Sequence, residues 1–158
     1  MKRIAAEEFA KLTQVTQPRV APGGDRVAFV RKTPDDESSY EATVYLAPTG
    51  GDEPRRFSIS HGVDSEPRFS PSGDRLAFVS TRGADDDRPQ LWVVPTDGGE
   101  GRQVTRVTGG VSSIAWGPDG ERIAFVQRSS AEERETGQDL VFEESGSEPD
   151  EPDPRVID

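Results

Sequence analysis

From Val15 onward, apolar and polar residues alternate with a period of two along much of this chain, and one phrase of that pattern is written three times. Pro71-Ser72-Gly73-Asp74-Arg75-Leu76-Ala77-Phe78-Val79 has one copy in Pro22-Gly23-Gly24-Asp25-Arg26-Val27-Ala28-Phe29-Val30. Another is Pro118-Asp119-Gly120-Glu121-Arg122-Ile123-Ala124-Phe125-Val126. A period of two is the mark of strands. The second copy predicts strands over Glu66–Ser70, Arg75–Ser80, Gln90–Pro95 and Arg102–Thr105, the first two joined by the hairpin loop Pro71-Ser72-Gly73-Asp74. Proline presets φ at the first corner of such a loop, and glycine takes the left-handed position that lets the strands pair. Ahead of this pattern, Ala5, Phe9 and Leu12 fall on one face at helical spacing. Glu7 and Glu8 stand near the start and Lys11 near the end, which predicts a short helix over Ile4–Thr13.

The three phenylalanines, Phe29, Phe78 and Phe125, lie 49 and 47 residues apart. The glycine pairs Gly50-Gly51 and Gly98-Gly99 repeat at a similar interval. A self-similar unit of about 40–50 residues falls in the range of a propeller blade. Alternation puts Leu76 and Phe78 on one face of their strand and Ala77 and Val79 on the other. Strands apolar on both sides belong to sheets stacked between neighbours, and the small Ala28, Ala77 and Ala124 suggest close approach between them. The expected fold is all-β: a partial β-propeller of four-stranded blades after a short N-terminal helix. The helix is expected over 1–14 and the incomplete propeller over 15–128, with blades at about 15–60, 61–108 and 109–128. Propellers close with roughly four to eight blades, and two blades with the start of a third leave the outer face of Arg26–Val30 and the far face of the third blade without neighbours. From Ser129 to Asp158 the chain is acidic and broken by Pro149, Pro152 and Pro154. That stretch is expected to be an acidic loop or disordered tail, because it holds too little apolar surface to offset its ordering entropy.

Charge and composition narrow the partners. The chain has 158 residues, is 31% apolar and carries 30 acidic against 19 basic residues, a net charge of −11. Such a balance argues against a nucleic-acid backbone and against anionic membrane. The basic residues comprise 3 lysines (Lys2, Lys11, Lys32) and 16 arginines, and self-repulsion on an acidic surface of this kind calls for screening by salt. Cysteine is absent, which excludes disulfides, thiolate metal sites and a cysteine nucleophile. No apolar stretch of signal-peptide or membrane-span length occurs, so the chain is expected to be cytoplasmic.

Candidate chemistry is sparse. The single histidine, His61, sits in Ser60-His61-Gly62, a turn sequence with no nucleophile and orienting acid arrayed around it. Asp85-Asp86-Asp87 lacks the alternating ligand spacing and distal bidentate glutamate of a calcium loop, and fits a solvated hairpin tip. Gly110-Val111-Ser112-Ser113-Ile114 approaches a nucleophile elbow and fails at its last position. Trp92 and Trp116 lie within strand patterns, as core or inter-blade residues. The sequence therefore predicts no catalytic, cofactor-binding or metal-binding residues in this chain.

The stretch Pro67–Thr105, with its Ser-Pro-x-Gly turn before an apolar strand, resembles the TolB-type, WD40-like propeller repeat. The opening Glu7–Val30, a short helix running directly into the first blade, is similar to the N-terminus of prolyl oligopeptidase-family serine peptidases of the acylaminoacyl-peptidase kind. The long acidic segment after Val126-Gln127 resembles haloarchaeal members. The resemblance implies a propeller of about seven blades that precedes an α/β-hydrolase domain bearing a Ser-Asp-His triad and limits access to short peptides. None of the triad maps onto this chain, so it is expected to be an N-terminal fragment whose partners are short peptides, the remaining blades and the hydrolase domain. The competing expectation is a TolB-like module that binds a protein partner through its loop face.

Overall fold

The computed structural model describes residues 12–34, 40–58, 62–83 and 88–128. Among these residues, ten strands build three antiparallel sheets. The first contains β1 (Gln14–Val20), β2 (Arg26–Pro34), β3 (Tyr40–Pro48) and β4 (Arg55–Arg56), hydrogen-bonded in that order. The second repeats the plan with β5 (Asp64–Phe69), β6 (Arg75–Ser80), β7 (Gln90–Pro95) and β8 (Arg102–Gln103). A third pairs β9 (Val111–Trp116) with β10 (Ile123–Gln127). The expected helix lies outside the described residues up to Lys11, and Leu12 and Thr13, which are described, are not helical. The acidic segment from Ser129 also lies outside them.

The predicted strands Arg75–Ser80 and Gln90–Pro95 form with those bounds. The fourth is shorter than the expected Arg102–Thr105, and the reason is a side chain. Val104 N–H still reaches Leu91 O at 2.8 Å, but Thr105 Oγ1 takes the Leu91 N–H at 2.9 Å, so a hydroxyl replaces the next rung of the ladder. The first strand begins two residues earlier than expected, at Asp64. Ser70 instead belongs to the turn, where its N–H bonds Arg75 O and its carbonyl accepts from Gly73 N–H.

The hairpin turn is the same object three times. Gly24, Gly73 and Gly120 have φ of 72°, 77° and 74°, the left-handed region that only glycine enters without strain. Each glycine N–H bonds the carbonyl three residues back, on Ala21, Ser70 and Gly117. The threonine that follows the third strand then locks the loop: Thr49 Oγ1 donates to Gly24 O and Thr96 Oγ1 to Gly73 O, both at 2.9 Å. Asp74 accepts from the hydroxyls of Ser72 and Ser70, which hold its carboxyl below the usual carboxylate range. A Cβ on Gly73 would stand 3.4 Å from Pro22 Cδ in the preceding turn, and one on Gly120 would stand 3.4 Å from Pro71 Cδ. Gly73→Val is therefore expected to cost on the order of 1–2 kcal/mol more than Ser72→Val at the exposed neighbour. Thermal melts showing the two variants equally stable would refute the turn geometry.

The sheets stack through apolar faces. Between the first and second lie Ala28, Val44, Leu46, Leu76, Phe78 and Val94, with Phe57, Phe69 and Trp92 at the margin. Between the second and third lie Ala77, Val79, Leu91, Val93, Val111 and Ile114. Leu76 and Phe78 thus face one neighbour while Ala77 and Val79 face the other, as their alternation requires. Repeat partners at the two ends fare differently. Val79 is 2% exposed, whereas Val126 is 54% exposed, and Ala124 is exposed where Ala28 and Ala77 are buried.

Candidate functional site

The sheets fan out from their first strands. β1 lies against β5, and β5 against β9, while β4 and β8 make no comparable approach. The converging edge is where side chains of different sheets meet, and its geometry begins with a bulge. Pairing of β1 with β2 slips between Thr16 and Arg19, that of β5 with β6 between Ser65 and Arg68, and β9 slips likewise against β10. At the slip, Gln17, Glu66 and Ser113 adopt φ of 55°, 54° and 54°. A non-glycine residue in the left-handed region is uncommon, and here it recurs at one repeat position. Pro18 and Pro67 follow the first two; proline has no N–H to leave unpaired in a bulge.

In the second and third sheets the turned backbone aims its N–H at the sheet before it. Glu66 N–H donates to Gln17 Oε1 at 2.6 Å. Ser113 N–H and Ile114 N–H donate to the two carboxylate oxygens of Glu66 at 3.0 and 3.2 Å. A side chain of one sheet thereby satisfies the strained backbone of the next. Trp116 Nε1 adds a bond to Arg68 O at 3.0 Å. Farther out, arginine side chains cross the same gaps. Arg26 reaches Asp97 at 3.4 Å, and Arg75 donates to Gly120 O at 2.7 Å with its guanidinium 5.1 Å from the Trp116 ring centroid. Asp25 holds its carboxyl low through a hydrogen bond from Arg26.

Ionisable groups elsewhere in the core are structural. Asp64 is fully buried and accepts a hydrogen bond from Ser58 Oγ, which also receives Val44 N–H. The Arg82 guanidinium lies 4.2 Å from the Trp92 ring centroid and 4.9 Å from that of Phe78. Burial lowers its pKa and the charge of Asp64 opposes that shift. Nε and Nη2 of Arg82 have no oxygen partner, and the two ring faces supply the negative potential instead.

The predicted sites distribute as follows. His61 and Asp85-Asp86-Asp87 lie outside the described residues. Ser112 is exposed on β9 with its hydroxyl 3.3 Å from Val126 O, and Ser113 is the bulge residue, so the near-elbow is a strand entry. Trp92 and Trp116 stand at the two inter-sheet gaps, as their strand positions implied. Among the described residues no group of three or more His, Cys, Asp or Glu is placed to hold a metal, and no helix is long and apolar enough to cross a membrane. Sequence reasoning passed over the bulge ladder. Its signal was present as Gln17-Pro18-Arg19 recurring in Glu66-Pro67-Arg68.

A family model described as the TolB beta propeller domain matches residues 2–146. Among solved structures, the chain is similar to an acylaminoacyl peptidase from Pyrococcus horikoshii, with 26% identity, 85% of this chain and 20% of that one covered, and a TM-score of 0.64. It is similar to an acylaminoacyl peptidase in complex with Z-Gly-Gly-Phe-chloromethyl ketone, with 25% identity, coverage of 78% and 19%, and a TM-score of 0.63. The β-propeller domain of the Trilobed protease from Pyrococcus furiosus shares the fold at 23% identity, coverage of 74% and 34%, and a TM-score of 0.59. The chain spans about a fifth of the length of the acylaminoacyl peptidases it matches. No curated protein matches it.

Proposed function

The chain belongs to the TolB beta propeller domain family, and from that premise we propose that it is the N-terminal propeller portion of a serine oligopeptidase acting on short or acylated peptides. The likeness to an acylaminoacyl peptidase, at 26% identity over 85% of the chain, carries the reading. The peptidase-like opening Glu7–Val30 supports it. In this role the propeller admits short peptides and excludes folded chains, and the nucleophile, base and oxyanion donors lie on a hydrolase domain outside these residues. The half-open sheets fit that role: Val126, Val20 and Val15 stay exposed, ready for further blades. A net charge of −11 with three lysines fits a cytoplasmic protein of a salt-loving organism.

The test is chemical. The purified 158-residue chain is incubated with a fluorophosphonate probe and with N-acetyl-alanyl-p-nitroanilide. Neither serine labelling nor nitroaniline release is expected, while N-acetylated tripeptides should perturb the fluorescence of Trp92 and Trp116. A labelled serine would overturn the division of labour. Silence toward every peptide would leave the TolB-like protein-binding module as the better reading.

A further inference from the structure

Arg19 and Arg68 occupy the same repeat position, two residues beyond the bulge residues Gln17 and Glu66. Each stands where its strand resumes pairing, opposite Ala28 and Ala77 respectively. β1 and β5 lie side by side on the converging edge, which puts the two residues on neighbouring strands, near enough for the charge of Arg19 to act on Arg68. Among the described residues neither makes an ion pair. Each donates from Nη1 to the carbonyl of the proline just before it, at 2.8 Å for Arg19 and 2.9 Å for Arg68. A guanidinium carries five N–H donors in one plane, so most of both forks is uncommitted.

Three observations make this pair unlike an ordinary surface arginine couple. Arg68 is half-buried; burial first, and the charge of Arg19 second, hold its pKa below the ordinary arginine range. Glu66, whose charge pulls the other way, already gives both oxygens to Ser113 and Ile114. The fold also does without the pair, since the third sheet forms the same bulge with Ala115 at this position. In a chain with 30 acidic residues, two neighbouring cations whose nearest carboxylate, Glu66, is already taken by backbone N–H groups form a place kept for an acceptor from outside.

We propose that Arg19 and Arg68 form a receptor for an oxyanion at the edge where the first strands converge, the ligand being the C-terminal carboxylate of a short peptide. Planar forks match a carboxylate bidentately and lose that match when the group is amidated. The choice of a peptide as the source of the carboxylate rests on the peptidase reading; the oxyanion site does not.

The experiment titrates N-acetyl-trialanine, its C-terminal amide and inorganic phosphate separately into the 158-residue chain at constant ionic strength. Binding is followed by calorimetry and by tryptophan fluorescence, Trp116 being bonded to Arg68 O. The acid should bind about tenfold more tightly than the amide, as one charge-assisted fork implies. R19Q and R68Q should each abolish that preference, and R68K, which keeps the charge without the fork, should retain only part of it. Arg19 is exposed, so R19Q carries the test should R68Q fail to fold by circular dichroism. Phosphate binding that depends on both arginines, with no peptide binding at all, would support the oxyanion site and defeat the peptidase reading. Acid and amide binding alike, or R19Q and R68Q retaining the preference, would overturn the arginine site and leave that reading intact.

Discussion

Phe78→Ala is expected to lower the unfolding free energy by about 3–5 kcal/mol, the range for emptying an aromatic core site. Phe78 is completely buried, the largest side chain so placed among the described residues, and fills the gap between the first and second sheets with Leu76, Val44 and Val94. Its ring is also one of the two faces on which the Arg82 guanidinium rests. Truncation therefore opens a cavity and strips a half-buried cation of part of its stabilisation. The control is internal to the repeat. Phe29 holds the same position in β2 but is half-buried, stacked on Tyr45 with centroids 5.8 Å apart on a face with no packed sheet among the described residues. Phe29→Ala should cost less than half as much. Urea melts of the two variants decide it, and equal losses would mean that the stacking order of the sheets is wrong.

Glu66→Ala should cost about 1.5–3 kcal/mol, the usual worth of hydrogen bonds to a charged acceptor. The carboxylate satisfies two backbone N–H groups of the third sheet, and one of them belongs to Ser113 in the left-handed conformation. Its removal loosens β9 against β5 and leaves that conformation unsupported. Glu66→Gln keeps one acceptor oxygen and should recover roughly half the loss. Gln17→Ala, which removes a neutral acceptor, should cost about 0.5–1.5 kcal/mol. Hydrogen exchange at Ser113 and Ile114 gives the local readout: faster exchange in Glu66→Ala at those two amides is expected. Unchanged exchange there would show that the ladder does not hold the sheets together.

The hairpins were legible because they are local. Pro71-Ser72-Gly73-Asp74 and its copies carry their turn chemistry within four residues, and a glycine φ near 75° follows from the absence of a Cβ. The two-sided packing of β6 was equally legible, since strict alternation of Leu76-Ala77-Phe78-Val79 leaves no polar face to turn toward water. The end of β8 was misjudged because the Thr105 hydroxyl competes for the Leu91 N–H, and a periodicity argument sees the residue but not the bond.

What the sequence by itself determined, then, is the unit: strand, turn and repeat interval, each set by φ preferences and by side chains alternating across a pleat. Only the tertiary structure decided how the units address each other. Gln17-Pro18-Arg19 and Glu66-Pro67-Arg68 mark two of the bulges as equivalent, but Ser113-Ile114-Ala115 shares none of those residues, so no pattern of residues marks the third. What all three share is a bulge that turns the backbone through a left-handed residue, and at Glu66 and Ser113 it presents the N–H to the neighbouring sheet. The meeting of Arg19 with Arg68 arises the same way. Residues 49 apart in the chain become neighbours because the apolar faces of successive sheets force them to stack, and stacking brings their first strands to a common edge.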